Sequence, residues 1–238
     1  MTDSSAAPGI APAAIDYERL YRGDEVFPGV VIQRPPWDIG RPQPLLVAFE
    51  RAGRISGAVL DVGCGPGDTA IYLASLGYPA TGFDIAPTAI EQARTRAAGQ
   101  DVSATFTVAD AADLDGLDGP FDTAVSSALL HCLAPDQRPM HAAALARVIR
   151  PGGRLIQFCF TAVDHAELYA PYPVAEDELR ATFVPPDWSI TTLRADHLET
   201  ITPTEHMLKL FAQRDFHPEF NDEGAMLLPV LVLEAQRI

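Results

Sequence analysis

The chain is 238 residues long, 47% apolar and 21% charged, which is material for one packed domain and not for a disordered polymer. Its 17 Lys+Arg stand against 32 Asp+Glu, a net charge of -15 with a single lysine, Lys209. Such a surface repels nucleic-acid phosphates and anionic lipid, so neither is expected as a partner.

The first fourteen residues, MTDSSAAPGIAPAA, have neither the basic start nor the continuous apolar run of a secretory leader. They are expected to be disordered. From Ile15 to about Gln43 aromatic residues (Tyr17, Tyr21, Phe27 and Trp37) appear among prolines, ending in RPPWDIGRPQP. Proline lacks a backbone donor and restricts its neighbour, so this string predicts a fixed, extended arm. Leu45 to Ala52 reads as a short amphipathic helix stopped by Gly53, which closes an arm and lead-in unit over 15–52 ahead of a main domain over 53–238.

The body alternates short apolar runs with helical periodicity. Strands are expected at Ala58–Val62, Ala80–Asp84, Ala104–Val108, Phe121–Ser126 and Arg154–Phe160. The helices between them fall at Asp68–Leu76, Pro87–Ala98 and Arg138–Ile149. This order predicts an α/β domain, doubly wound, with a parallel sheet covered on both faces. Beyond Phe160 the pattern predicts a helix near Glu176–Phe183, strands near Ser189–Arg194 and Leu228–Ala235, and a helix over Thr204–Gln213. The longest apolar run, Met226 to Leu233, is far short of the roughly 20 residues that span a bilayer. Three scattered cysteines, Cys64, Cys132 and Cys159, show no C-x-x-C spacing. No metal is expected, and the compartment is expected to be reducing and cytoplasmic.

The strongest local signal is VLDVGCGPGDTA, Val59 to Ala70, where an apolar strand runs into Gly63-Cys64-Gly65-Pro66-Gly67 and then a helix. Glycines there let the backbone turn tightly and approach a ligand. Asp61 ends that strand and Asp84 ends the next, 21 positions after Gly63. An acid in the second place accepts hydrogen bonds from ribose hydroxyls in doubly wound folds. Asp110, with the amide of Ala111, is placed to meet an adenine amine past the third strand. A dinucleotide site would want a glycine at position 68, where Asp68 instead repels pyrophosphate from the helix end. G-x-G-x-G beside Asp61 suits a cofactor without phosphates and with a cationic amino-acid tail, S-adenosylmethionine.

VLDVGCGPGDTA, GFDIAPTAIEQAR, VADAADL, FDTAVSSALLHCL and LARVIRPGGRLIQFCF, in that order, resemble the successive motifs of class I S-adenosylmethionine-dependent methyltransferases over about Ala58 to Phe160. The resemblance implies a Rossmann-like, seven-stranded sheet whose last strand is antiparallel. It implies cofactor contacts at Asp61, Gly63, Cys64, Gly65, Asp84, Ile85, Asp110, Ala111 and Ser126. The arm string, with PYPVAEDELRATF, is similar to thiopurine methyltransferase-like enzymes, and among them to the bacterial heterocyclic-toxin enzymes that O-methylate hydroxyquinolones such as 2-heptyl-1-hydroxyquinolin-4-one. That similarity puts Trp37 against the cofactor and the arm over the substrate.

Methyl transfer from a sulfonium asks the protein to align donor and acceptor, exclude water and ensure a deprotonated acceptor. His131, just past the fourth strand, is the candidate general base, with packing or substrate contact as the alternative. Tyr17, Tyr21, Phe27, Trp37, Tyr169 and Tyr172 are candidate walls of an aromatic-lined substrate pocket. The expected reaction is methylation of a hydroxyl on a small planar heterocycle, with detoxification as its purpose. The alternatives are S- or N-methylation of thiols or heterocycles, C-/O-methylation in a quinone or polyketide pathway, or a non-catalytic cofactor-binding regulator. A monomer or homodimer is expected.

Overall fold

In the computed structural model, residues 15–27 and 30–238 are described; the expectation for residues 1–14 lies outside them. Asp16 starts helix α1 (Tyr17–Arg22) by accepting the Arg19 N–H at 3.1 Å, and Gly23, at φ 74°, ends it. A small antiparallel pair follows, β1 (Glu25–Phe27) with β2 (Val30–Val31). The proline-rich string is not extended. The Asp38 N–H reaches the Pro35 carbonyl at 3.0 Å, and the Ile39 N–H that of Trp37 at 3.0 Å. These turns compact the segment before helix α2 (Pro44–Arg51), because prolines there only fix φ and leave the residues after them free to turn.

The domain proper runs β3 (Val59–Val62), α3 (Asp68–Ser75), β4 (Ala80–Asp84), α4 (Pro87–Gly99), β5 (Thr105–Val108), β6 (Phe121–Ser127), α5 (Arg138–Val148) and β7 (Ile149–Phe160). It then continues through α6 (Glu176–Thr182), β8 (Trp188–Thr200), α7 (Glu205–Gln213), β9 (Glu219–Phe220) and β10 (Met226–Arg237). The sheet order is β5-β4-β3-β6-β7-β10-β8, with short β9 pairing β10. Neighbours are parallel except around β10, which runs antiparallel to β7 and β8.

The last two long strands exceed their expected lengths. β8 lies at the sheet edge with many exposed polar residues, so its apolar signal is confined to a few positions although its backbone pairs with β10 throughout. Helices cover both faces. One core joins Leu60, Ala124 and Leu155 of the sheet to Leu145 of α5 and Leu179 of α6. The other joins Val59, Ile156 and Phe158 to Leu46 and Phe49 of α2 and Leu73 of α3. Among the described residues, no helix is long and apolar enough to cross a membrane.

Candidate active site at the carboxyl ends of the central strands

The order β4-β3-β6 places the chain's reversal point between β3 and β6, and ligands of open α/β sheets collect beyond the carboxyl ends of such strands. A cavity of about 250 Å³ lies there. Its floor is the glycine loop between β3 and α3. Gly65 sits at φ 50°, and a side chain there would come within 2.8 Å of the Tyr21 hydroxyl. Gly63, at φ 67°, faces Leu129 just as closely. Only glycine lets this backbone bend and approach what lies above it.

Three carboxylates meet the floor, one from each successive strand. Asp61 is buried and accepts the Ala70 N–H at 2.9 Å. Burial pushes its pKa up to about 8, and repulsion from Asp68 and Asp84 adds to this. Asp84 accepts from Gly65 N at 2.9 Å and from Ala86 N at 3.0 Å, so it ties the loop to the start of α4. Burial raises its pKa too, against those backbone hydrogen bonds. Asp110 closes a local turn by accepting the Ala112 N–H at 2.8 Å. Beside these, Cys64 and Ala111 also line the cavity, and Ile85 is 56% exposed at its edge.

The arm forms the roof. Glu18 accepts from Thr88 N at 3.0 Å and Thr88 Oγ1 at 2.7 Å, and Gln92 Nε2 donates to the Tyr21 carbonyl at 2.9 Å, which docks α1 on α4. Arg96 bridges Asp38 of the arm (2.7 Å) and Asp68 of α3 (3.0 Å). Trp37 Nε1 donates to the Tyr21 hydroxyl at 3.2 Å, and the Tyr17 ring lies 6.4 Å from the Trp37 ring. Tyr17, Tyr21 and Trp37 thus share one wall above the loop. Burial lifts both tyrosine hydroxyls above their ordinary pKa, so they remain protonated.

Three expected residues lie elsewhere. Ser126 is buried without a hydrogen-bond partner for its hydroxyl, and the adjacent Ser127 lines the cavity instead, because successive strand residues point to opposite faces. Tyr169 packs between Phe160 and Phe216, at ring distances of 5.2 and 5.9 Å. Tyr172 serves through its backbone, its N–H donating to the His131 carbonyl at 2.9 Å. The side chain of Phe27 lies outside what the structure describes.

His131 is the main correction. It is 2% exposed, stacks on Phe160 at 4.4 Å, and its Nδ1 accepts the Phe160 N–H at 3.3 Å. Burial, with the Arg138 charge nearby, pulls its pKa down to about 3, so it is a neutral packed ring and not a base at the cavity. The physical reason is a tight 3-10 turn over Leu130–Cys132. With three residues per turn, Leu129 and Cys132 share the face that lines the cavity, while Leu130 and His131 turn into the core. The arm's polar contributors, Asp38, Arg41 and Gln43, have no sequence signal amid the prolines.

Residues 59–153 match the family described as a methyltransferase domain. The chain is 40% identical over 166 residues to a 2-heptyl-1-hydroxyquinolin-4(1H)-one methyltransferase of Mycobacteroides abscessus, spanning 69% of this chain and 72% of that protein. The chain belongs to the class I S-adenosylmethionine-dependent methyltransferases. A structure solved for the conversion of a disulfide bond into a thioacetal group during echinomycin biosynthesis superposes with a TM-score of 0.75 at 34% identity, covering 93% of this chain and 91% of that one. A probable thiol methyltransferase of Arabidopsis thaliana is 26% identical over 74% of this chain and 77% of its own length. The magnesium protoporphyrin IX methyltransferase of Synechocystis, solved with bound S-adenosylmethionine, shares the fold with a TM-score of 0.56 at 23% identity, covering 82% of this chain and 76% of that one.

The methyltransferase cavity fits that cofactor on its own chemistry. Asp61 and Asp84 are buried with no ion-pair partner among the described residues, which suits a cationic ligand, and the glycines leave the loop open to close approach. No group of three His, Cys, Asp or Glu that could hold a metal occurs among the described residues.

The buried His131 carries an expected result. A base held near pKa 3 in the native state and near 6.5 when unfolded binds protons in the unfolded chain first. Stability is therefore fully present above pH 6.5 and falls as the pH drops toward 3. Urea midpoints should fall less steeply on acidification in His131→Asn than in wild type. The pH profile of methyl transfer should keep its shape in that variant; loss of a limb near pH 6.5 would restore His131 as the base.

Proposed function

We propose that this enzyme methylates an acidic hydroxyl on a small planar heterocycle of the hydroxyquinolone kind. The observation that carries this reading is the burial of His131, which leaves the cavity without an imidazole base, so the acceptor must ionise by itself. An N-hydroxyl or similarly acidic oxygen meets that demand at neutral pH. The name of the Mycobacteroides relative and the tyrosine and tryptophan wall support the same substrate class.

When bound, S-adenosylmethionine supplies an electrophilic methyl group on a positively charged sulfur. Asp84 would accept from the ribose hydroxyls, Asp110 with the Ala111 amide would hold the adenine amine, and Ile85 would lie against its ring. Gly63 and Gly65, beside Cys64, would leave room for the thioether chain near the backbone. Asp61, deprotonated, would pair with the cationic tail. Tyr17, Tyr21 and Trp37 hold the planar acceptor and keep water from the sulfur.

Asp61 makes this assignment testable. Its carboxyl is neutral below about pH 8 and must release a proton to face a cation. Affinity for S-adenosylmethionine should rise with pH up to about 8 and flatten above it, and calorimetry in buffers of different ionisation enthalpy should register proton release. Asp61→Asn should abolish the slope. A wild-type affinity that stays flat across this range removes the Asp61 role.

A sulfur acceptor is the second reading, favoured by the sulfur chemistry for which the structural neighbour was solved and by the thiol methyltransferase relative. Mass spectrometry after incubation with S-adenosylmethionine and a panel of hydroxyquinolones, phenols and thiophenols separates the two. Methylation of thiophenols alone would overturn the oxygen assignment.

A further inference from the structure

The charge of the cavity raises a problem for an ionised acceptor. Five of its lining residues are aspartates; Arg96 bridges Asp38 and Asp68, but Asp61, Asp84 and Asp110 have no ion-pair partner among the described residues, in a chain whose net charge is already -15. An anion approaching this field is repelled unless a cation stands in the wall. Among the described residues one lysine, arginine or histidine lines the cavity, and it is Arg41.

Arg41 is held at one corner and open at the others. Its Nη2 donates to Glu199 at 2.7 Å and to Glu223 at 3.4 Å. Nε and Nη1 make no hydrogen bond among the described residues. The backbone that carries it is fixed as well. The Gln43 side chain donates to the Glu199 carbonyl at 2.8 Å and accepts the Glu199 N–H at 3.0 Å, which staples the arm to the end of β8. Glu199 is in turn held by Asn221, whose Nδ2 donates to it at 2.9 Å. Arg41 lines the cavity with its side chain 46% exposed, so a guanidinium anchored on one nitrogen keeps Nε and Nη1 available to an oxyanion.

We propose that Arg41 is the anion-binding residue of this site and takes an oxyanion of a bound ligand. Two ligands of the reaction carry one: the methionine tail of the cofactor, through its carboxylate, and the ionised oxygen of the acceptor. The second source rests on the hydroxyl-methylation reading above; the first does not.

Calorimetry on the full chain separates the sources. S-adenosylhomocysteine carries the carboxylate, whereas 5′-methylthioadenosine keeps the nucleoside and thioether without it. The protein loaded with S-adenosylhomocysteine is then titrated with ionised 1-hydroxyquinolin-4(1H)-one. If the cofactor carboxylate is the ligand, Arg41→Gln binds S-adenosylhomocysteine at least about tenfold more weakly and 5′-methylthioadenosine within about twofold of wild type. If the acceptor is the ligand, the hydroxyquinolone loses at least about tenfold while S-adenosylhomocysteine stays within about twofold. Arg41→Lys should recover part of either loss, because it restores the charge without the fork. Equal weakening of all three ligands would mean that the arm has merely come loose, and it overturns the proposal. So does binding of both anionic ligands unchanged from wild type. Should the wild-type enzyme bind S-adenosylhomocysteine but no hydroxyquinolone, the hydroxyl reading fails. The comparison with 5′-methylthioadenosine then decides Arg41 by itself, an unchanged S-adenosylhomocysteine affinity overturning the proposal.

Discussion

Asp84→Ala should weaken S-adenosylmethionine binding by about 1–3 kcal/mol, roughly fivefold to 150-fold in dissociation constant. Two losses combine. The carboxylate is the acceptor proposed for the ribose, and it also fastens the loop, through Gly65 N at 2.9 Å and Ala86 N at 3.0 Å. Removing it strands two buried donors whose positions define the cavity floor. Asp84→Asn retains one acceptor oxygen and should fall between wild type and alanine. Calorimetry reads the affinity and thermal melting reads the loop. An affinity unchanged in both variants would remove Asp84 from the cofactor site and with it the proposed cofactor orientation.

Gly67→Val should lower folding stability by about 2–5 kcal/mol and abolish cofactor binding at ordinary concentrations. Gly67 caps helix α3 at φ 89°, a conformation that costs any side chain, and a β-branched one most. Space is lacking too. An added Cβ would lie 3.0 Å from the Ala93 methyl of α4 and 3.0 Å from the Phe106 ring of β5. Neither neighbour can yield, since Ala93 has no rotamer to change and Phe106 is 5% exposed, buried in a cluster with Ile71 and Ile90. Gly77, at φ 92° with open space around it, is the control: Gly77→Ala carries the backbone strain without the clash and should cost only about 1–2 kcal/mol. Equal effects of the two substitutions in urea titrations would show that conformation alone, and not the packing of the loop against α4 and β5, holds the glycine there.

The residues of the glycine loop and the strand-end acids are legible in the chain itself because their placement is local. A strand that ends in Val62, a run of glycines and an N-terminal helical turn fixes where Asp61, Gly63 and Gly65 stand relative to one another, and Asp84 follows from the next strand by the same geometry. The error at Ser126 has the opposite origin. β6 continues one residue further than expected, to Ser127, and period-two alternation turns a shift of one residue into a change of face. His131 fails for a related reason. The stretch after β6, ALLHCL, carries an apolar residue on every side, so its sequence shows that a turn occurs but not which side of it is buried.

The arm is only half legible. Its prolines and aromatics announce an irregular segment near the cavity, and Tyr17, Tyr21 and Trp37 do line it. Its path follows from partners distant in the sequence: Thr88 for Glu18, Arg96 for Asp38, Glu199 for Gln43. Tyr169 and Tyr172 share that dependence, and their loop instead packs against Phe160, Phe216 and the His131 backbone.

The doubly wound sheet and the relative places of Asp61, Asp84 and the loop glycines were legible in the chain, since they rest on hydrophobic period or on neighbours within one strand–turn–helix unit, and the methyltransferase class followed from the resemblance of its motifs to that family. Only the tertiary structure decided that His131 is core, that Ser127 replaces Ser126, and that Arg41 stands at the cavity. Those outcomes depend on which face of a turn or strand meets another element far along the chain, and burial of that kind is a property of the assembled layers.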